Sequence, residues 1–298
     1  MNTAGGSRIR GWGAVSISVA LACLWAFWGG TENFHEGWYQ EAFLSNVALM
    51  VMQYLGPMLL FMGVALVSIY RPRFGGGLHV ALALLAAWFF KAFSNAATFL
   101  VILPLIGLGA LYWFGAPRPR RIAAFLVIGL PFLVLIVSGA GPAIRVSQRV
   151  DDGNLQARMV RGNGVNLTWA PAGPGWPRTG AGWYEAMDSC QYLEEGGMAL
   201  APTPQNIWRL PSIDEAVRSL ARHGQNSGGE WNAENAAAAY QTTPDKESPL
   251  WNVHSPVIYW WTATEVDEER AYIVVYDGKV FPRSKEFGPA YLGFRCVK

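Results

Sequence analysis

Residues 151–298 hold most of the groups with which this chain could do chemistry: Cys190, Cys296, His223, His254, a carboxylate run (Glu265, Asp267, Glu268, Glu269) and eight tryptophans. A thiolate pair could carry redox or nucleophilic chemistry, but only if the two sulfurs stay reduced and close together. Two histidines thirty residues apart in a loop lack metal-ligand spacing, and three cysteines in the whole chain are too few for a Cys-type zinc site. The carboxylate run reads as a solvated turn. Calcium through that run, or through Glu230, Glu234 and the neighbouring amides, is the one ion option; otherwise no cofactor is expected. Aromatic and polar side chains in the loop 222–256 could instead bind a ligand without reacting with it. Trp231, Asn232, Glu234, Trp251, Asn252 and His254, with Trp261 from the strand that follows, are the candidate binding residues.

Three motifs must position this loop: Trp208-Arg209-Leu210-Pro211-Ser212, Tyr259-Trp260-Trp261-Thr262-Ala263-Thr264 and the closing Gly293-Phe294-Arg295-Cys296-Val297-Lys298. Trp183, Ala186, Met187, Cys190 and Leu193 recur at three- and four-residue spacing, so 181–195 is expected as a helix with one buried face. Ser212 and Glu215 have capping-box spacing at the start of a second helix, whose apolar stripe is Ile213, Val217 and Leu220. Strands are expected at 165–169, 257–263, 271–276, 279–281 and 291–297, with Asp277-Gly278 as a hairpin turn. A short helix is expected over 233–240. Alternation along the aromatic strand turns Trp260 and Trp261 to opposite faces. The result is an α+β domain over 164–298, preceded by a linker over 145–163. Pairing Cys190 with Cys296 would close a loop of about a hundred residues and stabilise by up to ~4–5 kcal/mol under the chain-entropy account.

The order of these elements resembles the Lcl C-terminal domain family of bacterial proteins. The matching residues are Leu167-Thr168-Trp169, Trp183 to Cys190, Trp208 to Glu215, Tyr259 to Thr264, Asp277-Gly278 and Arg295-Cys296-Val297. That family is similar to the formylglycine-generating (sulfatase-modifying) enzymes, which share the Arg-Leu-Pro helix start and the Gly-Phe-Arg ending. The resemblance covers about 165–298 and implies a C-type-lectin-like fold, with Trp208, Arg209, Leu210, Pro211, Trp260 and Arg295 as fold residues. It implies the enzyme's chemistry less well, because the second cysteine that would complete a copper-binding pair near the C-terminus is missing, as is the histidine cluster of the iron-dependent branch. The Trp-Asn-Asp triplet of calcium-dependent lectins is also absent.

The first 144 residues are of another kind. Residues 1–150 carry ten Lys/Arg against three Asp/Glu, whereas 151–298 carry 13 against 18. The basic half is also the apolar half, so its charges orient a membrane protein rather than bind nucleic acid. Five transmembrane helices are expected, at about 12–30, 43–70, 78–93, 97–114 and 122–142. A break near Ser94-Asn95 places Arg8/Arg10, Arg71/Arg73 and Arg118/Arg120/Arg121 on one side of the bilayer. The N-terminus is then cytoplasmic and the C-terminal domain periplasmic, in a bacterial inner membrane. Gln53, Lys91 and Asn95 are the few polar groups within the spans; Lys91 lies near the hairpin tip and can snorkel. The expected role is a membrane-anchored, non-catalytic protein that recognises a glycan, peptide or envelope partner. The alternatives are a divergent sulfatase-modifying-type enzyme and a structural subunit of a membrane complex.

Overall fold

A computed structural model describes residues 3–91, 99–287 and 291–298. The chain divides into two units, one formed by 1–37 and 44–144, the other by 38–43 and 145–298.

The first unit is helical: α1 (Thr3–His35), α2 (Phe43–Leu49), a π-helical turn (Met50–Tyr54), α3 (Gly56–Tyr70), α4 (Pro72–Phe89), α5 (Phe99–Phe114) and α6 (Arg120–Ser147). Gly5–His35 of α1 and Arg120–Ser147 are long and apolar enough to cross a membrane. The stretch expected as one span over 43–70 is bent by 61° between Tyr54 and Gly56, and the two pieces together would make a third. Pro57, in the first turn of α3, explains the break, since it donates no N–H and starts a helix more readily than it continues one. The helix expected over 78–93 begins earlier, at Pro72, for the same reason. The hairpin break near Ser94-Asn95 lies outside the described residues.

The buried seam of this unit is built from small and apolar residues of α1, α3, α5 and α6, among them Ala14, Ala22, Met58, Ala65, Leu108 and Val127. The opposite faces carry exposed Leu, Ile and Phe, such as Phe125, Ile136 and Val137. An apolar exterior over a small-residue interior is the pattern of helices packed in lipid.

The second unit is α+β. Strands β1 (Arg158–Gly162) and β2 (Val165–Trp169) form a hairpin, followed by α7 (Trp183–Tyr192) and α8 (Ile213–Ser219). Two small hairpins come next, β3 (Ala221–Arg222) with β4 (Gln225–Asn226), and β5 (Glu230–Asn232) with β6 (Ala237–Ala239). The main sheet has the order β10-β7-β8-β9, from β7 (Tyr259–Glu265), β8 (Arg270–Val275), β9 (Val280–Ser284) and β10 (Leu292–Gly293).

Strand β1 falls where a linker was expected. Its turn, Asn163-Gly164, has φ of 51° and 81°, the two positive values that a tight two-residue hairpin turn needs. The helix expected over 233–240 is corrected to the β5–β6 hairpin. Eight residues are too few to hold a helix without a packed face, and Trp231 instead sets its edge against Tyr272 of β8, ring centres 5.3 Å apart. The last strand is shorter than expected, and it runs parallel to β7 rather than antiparallel.

Both faces of the β7–β8 pair are covered. Trp260 and Val274 face one core, closed by α8, Trp169 and Trp251; Trp261, Ala271 and Ile273 face the other, closed by α7, Trp208 and Phe294. The alternation of the two tryptophans is therefore as expected, but neither side reaches solvent. The capping box forms as read: the Glu215 N–H donates to Ser212 Oγ at 3.2 Å, and the Ser212 N–H donates to Glu215 Oε2 at 2.8 Å. Cys190 of α7 and Cys296 are joined by a disulfide within the second core, both fully buried.

That bridge closes a loop of 106 residues. Replacing both cysteines by serine should lower the unfolding free energy of the C-terminal unit by about 2–5 kcal/mol, read as an earlier denaturant midpoint in the full chain. Non-reducing mass measurement of the unaltered protein should find one free thiol, that of Cys23.

Candidate functional site

Seven residues were candidates for binding, and the structure does not bring them onto one surface. Trp251 stacks on Trp260 with ring centres 3.7 Å apart, and Trp169 lies 5.4 Å from Trp260 on its own account. All three indoles are buried. The Trp261 indole is fully buried on the other face of the sheet, where its N–H donates to Ala181 O at 2.9 Å. Of the candidate binding residues, Trp251 and Trp261 are thus parts of the two cores, since large aromatics gain most by leaving water.

Asn252 and His254 follow Trp251 on a partly buried turn. Asn252 Oδ1 accepts from the His254 N–H at 2.8 Å, and His254 Nε2 lies 3.2 Å from Asp151 Oδ2. Both residues hold the loop. Trp231, Asn232 and Glu234 belong to the β5–β6 hairpin. Asn232 and Glu234 are exposed, together with Glu230 and Asn235, and Trp231 is half-buried at the hairpin's base. Asn232 Oδ1 accepts from the Asn235 N–H at 3.1 Å, which fixes the turn.

The acidic turn after β7 does not fit a calcium ion. Its centre is taken by the ammonium of Lys285, which is nearly buried, donates to Glu268 O at 2.9 Å and Asp267 O at 3.1 Å, and pairs with Glu265. Asp267 is in turn held by Arg270, through Nε at 2.8 Å and Nη2 at 2.5 Å, and Arg270 holds the carboxyl of Asp267 below its usual range. A lysine therefore stands where a cation would stand, and its ammonium lies over the ring of Trp183, 4.8 Å from the ring centre. Among the described residues no group of three or more His, Cys, Asp or Glu is placed to hold a metal.

A buried ion cluster in the same loop was not anticipated. Residues Pro244-Asp245-Lys246-Glu247-Ser248 lie in the loop 222–256, and all five are buried. Asp245 Oδ2 accepts from Arg145 Nε at 2.7 Å and from Arg222 Nη1 at 2.5 Å; Oδ1 accepts from Arg149 Nε at 3.0 Å and from the Lys246 N–H at 2.7 Å. Burial would raise the Asp245 carboxyl, but Arg149 and Arg145 outweigh it and hold it below the usual carboxylate range. Glu247 accepts the Val150 N–H at 2.9 Å and the His223 N–H, and the Lys246 ammonium donates to Ser255 O. Burial, with Arg149 nearby, pushes the Lys246 amine well down. Every carboxylate oxygen here has a donor, so the cluster binds chain to chain: it ties 145–152 to 244–248.

The chemistry of the remaining groups is equally closed. Cys190 and Cys296 are oxidised to each other and buried, so neither presents a thiolate. Arg209 makes a two-pronged ion pair with Glu215 at 2.7 and 2.6 Å, bracing the start of α8. Comparison of the chain with protein-family models, with curated proteins and with solved structures finds no match.

Two outcomes follow for solution behaviour. Asp245→Ala should destabilise the C-terminal unit by about 3–5 kcal/mol in denaturant titrations, because three guanidiniums are left without their carboxylate. Asp245, Asp152 and Glu215 all titrate below their unfolded values in the folded protein, so their contribution is complete above about pH 4–5 and is lost as pH falls through the folded values. The melting temperature should therefore drop steeply on the acid side, and less steeply in Asp245→Asn. Chelation with EDTA, or added calcium, should leave the melting temperature of the unaltered protein unchanged; a calcium-dependent rise would show a site that Lys285 does not occupy.

Proposed function

We propose that this chain is a membrane-anchored, non-catalytic binding protein of a bacterial inner membrane. In this reading five helices anchor it with the N-terminus in the cytoplasm, and a periplasmic C-type-lectin-like domain recognises a glycan, peptide or envelope partner. The observation that carries the reading is the exposed β5–β6 hairpin. In the C-terminal unit the cysteines, most tryptophans and the charged segment 244–248 are enclosed in scaffold, whereas Glu230, Asn232, Glu234 and Asn235 stand in solvent around a half-buried Trp231.

Other features support the anchor and the fold. Two long apolar helices and a bent third candidate agree with a membrane domain. The arginines of the first unit lie near helix ends, and the carboxylates Glu32, Glu36 and Glu41 lie in the last turn of α1 and the segment after it, as the positive-inside rule would arrange them. The motif elements that resemble the Lcl C-terminal domain family all lie in one unit, and the terminal Arg-Cys-Val is central to its packing. A hairpin with a Trp base and amide and carboxylate tips suits hydrogen bonding to a sugar or peptide, with the indole as stacking floor.

The test is a crosslinking purification from native membranes. Glu230→Ala with Glu234→Ala should lose at least about tenfold of the captured partner while the melting temperature moves by little, since both side chains are exposed and surface changes away from core features cost within ~0.5 kcal/mol. Retention of the same partner at the same yield would remove the hairpin from the binding surface.

A further inference from the structure

The apolar half contains a basic cavity that its own sequence cannot neutralise. A cavity of about 590 Å³ is lined by Arg8, Arg118, Pro119, Arg120 and Arg121. Between Glu41 and Asp151 the chain has no carboxylate at all. Among the described residues none of these four guanidiniums makes an ion pair, although ten ion pairs are formed elsewhere. Four unneutralised guanidiniums converging on one hollow favour an anion from outside.

The walls of the cavity are fixed by backbone packing. The Ala116 N–H donates to Ser7 O at 3.0 Å, and the Trp12 indole N–H donates to Arg118 O at 3.0 Å. A Cβ on Gly11 would fall 2.3 Å from Pro117 N, and one on Gly115 would fall 2.5 Å from Gly11 N, so only glycine lets α1 lie directly on 115–118. Arg8 and Arg118 are thereby held across from each other on stiff supports. Arg120 opens α6, a helix of 28 residues with no acidic residue in its first turn, so unsatisfied backbone N–H groups add to the positive field.

Exposed apolar residues lie close to these arginines in the sequence. Ile9, Ile122 and Phe125, each a neighbour of a lining arginine or one turn from it, are 75%, 51% and 73% exposed. In the membrane reading the bilayer covers those side chains, which sets the arginines at the level of the lipid headgroups. A phosphodiester head whose hydrocarbon tails lie along the same apolar faces would satisfy the arginines from within the bilayer. We infer that the Arg8–Arg118–Arg120–Arg121 cavity is a binding site for the phosphodiester headgroup of an anionic phospholipid, on the side of the membrane where the chain begins. This rests on the reading of the first unit as a membrane domain.

The probe is phosphatidylglycerol titrated into the full-length protein in neutral detergent, followed by the shift in melting temperature and by mass measurement of the retained lipid. Phosphatidylcholine and inorganic phosphate are run beside it. The expected result is saturable stabilisation by phosphatidylglycerol and none by the other two. Apparent affinity should fall at least about tenfold in Arg8→Ala/Arg118→Ala/Arg120→Ala/Arg121→Ala. Arg10→Ala, an exposed arginine of the same helix outside the cavity, should bind as the unaltered protein does. The lipid-free melting temperature shows that the quadruple variant is folded; if it is not, Arg120→Ala/Arg121→Ala carries the comparison, with a smaller loss of affinity in the same direction. Equal loss in Arg10→Ala would overturn the site in favour of general surface charge. A full shift with inorganic phosphate alone would overturn the lipid as its source. Carbonate extraction of cell membranes tests the anchor separately: release into the soluble fraction would end the membrane reading itself, whereas a retained protein with no lipid discrimination would end only this proposal.

Discussion

The guanidinium of Arg295 is the point on which the C-terminal unit converges. It is fully buried and lies 3.6 Å over the ring of Trp176. Its Nε donates to Ala170 O at 2.8 Å, and its Nη1 donates to Leu250 O at 2.6 Å and Pro249 O at 3.2 Å. Those partners come from the end of β2, the loop before α7 and the chain after the buried ion cluster. No carboxylate is among them. A charge taken out of water without a counter-ion is tolerated only where oriented dipoles replace its hydration, so each of these carbonyls must be in place for the arginine to be there. Burial of Arg295 therefore makes the arrangement of three separate segments conditional on one another.

Its neighbours in sequence extend that dependence. Cys296 is bridged to α7, and its N–H donates to Gly175 O at 2.8 Å. Val297 pairs on one side with Trp169 and on the other with Arg209. The Lys298 N–H donates to Thr168 O at 2.9 Å. The last four residues thus join the first hairpin, the Trp-Arg-Leu-Pro segment and α7 at once. The closing motif is a seam between them. The indole stack Trp169, Trp260, Trp251 lies on one side of it and the disulfide core on the other.

What could be read from residues alone follows from whether the determining interaction is local. The α8 cap needed only Ser212 and Glu215, three apart. The apolar face of α7 needed only its own spacing. Asp277-Gly278 turns the chain between β8 and β9 as its φ of 90° at Gly278 requires. Asn163-Gly164 carried an equally local signal, but the run before it, Arg158-Met159-Val160-Arg161, alternates charge with an exposed Met159 and so resembles linker. The two- and three-residue strands β3 to β6 have no periodicity to read; they exist because neighbouring segments hold their backbones together. Trp231 and Trp251 are the same residue type in the same loop, and one reaches the surface while the other stacks in the core, a difference set by contacts with Tyr272 and Trp260 from elsewhere in the chain. Residues 244–248 were least legible, because charged residues default to solvent and the arginines that overturn this default lie up to a hundred positions away.

The two halves of the chain meet the same electrostatic problem in different ways. In the C-terminal unit many cations are matched internally: Arg145, Arg149 and Arg222 share Asp245, while Arg158, Arg209, Arg218 and Arg270 have Asp152, Glu215, Asp214 and Asp267. Such matching gives little net stability at the surface, but in the buried cluster it makes the register between distant segments costly to alter. The apolar half has no carboxylate with which to do this beyond its first forty-one residues. Its arginines are left without nearby carboxylates in the sequence, and four of them line a single cavity. A unit that pairs its ions among themselves needs a displayed surface, such as the β5–β6 hairpin, to recognise anything. Cations left unpaired can instead attract negative charge directly.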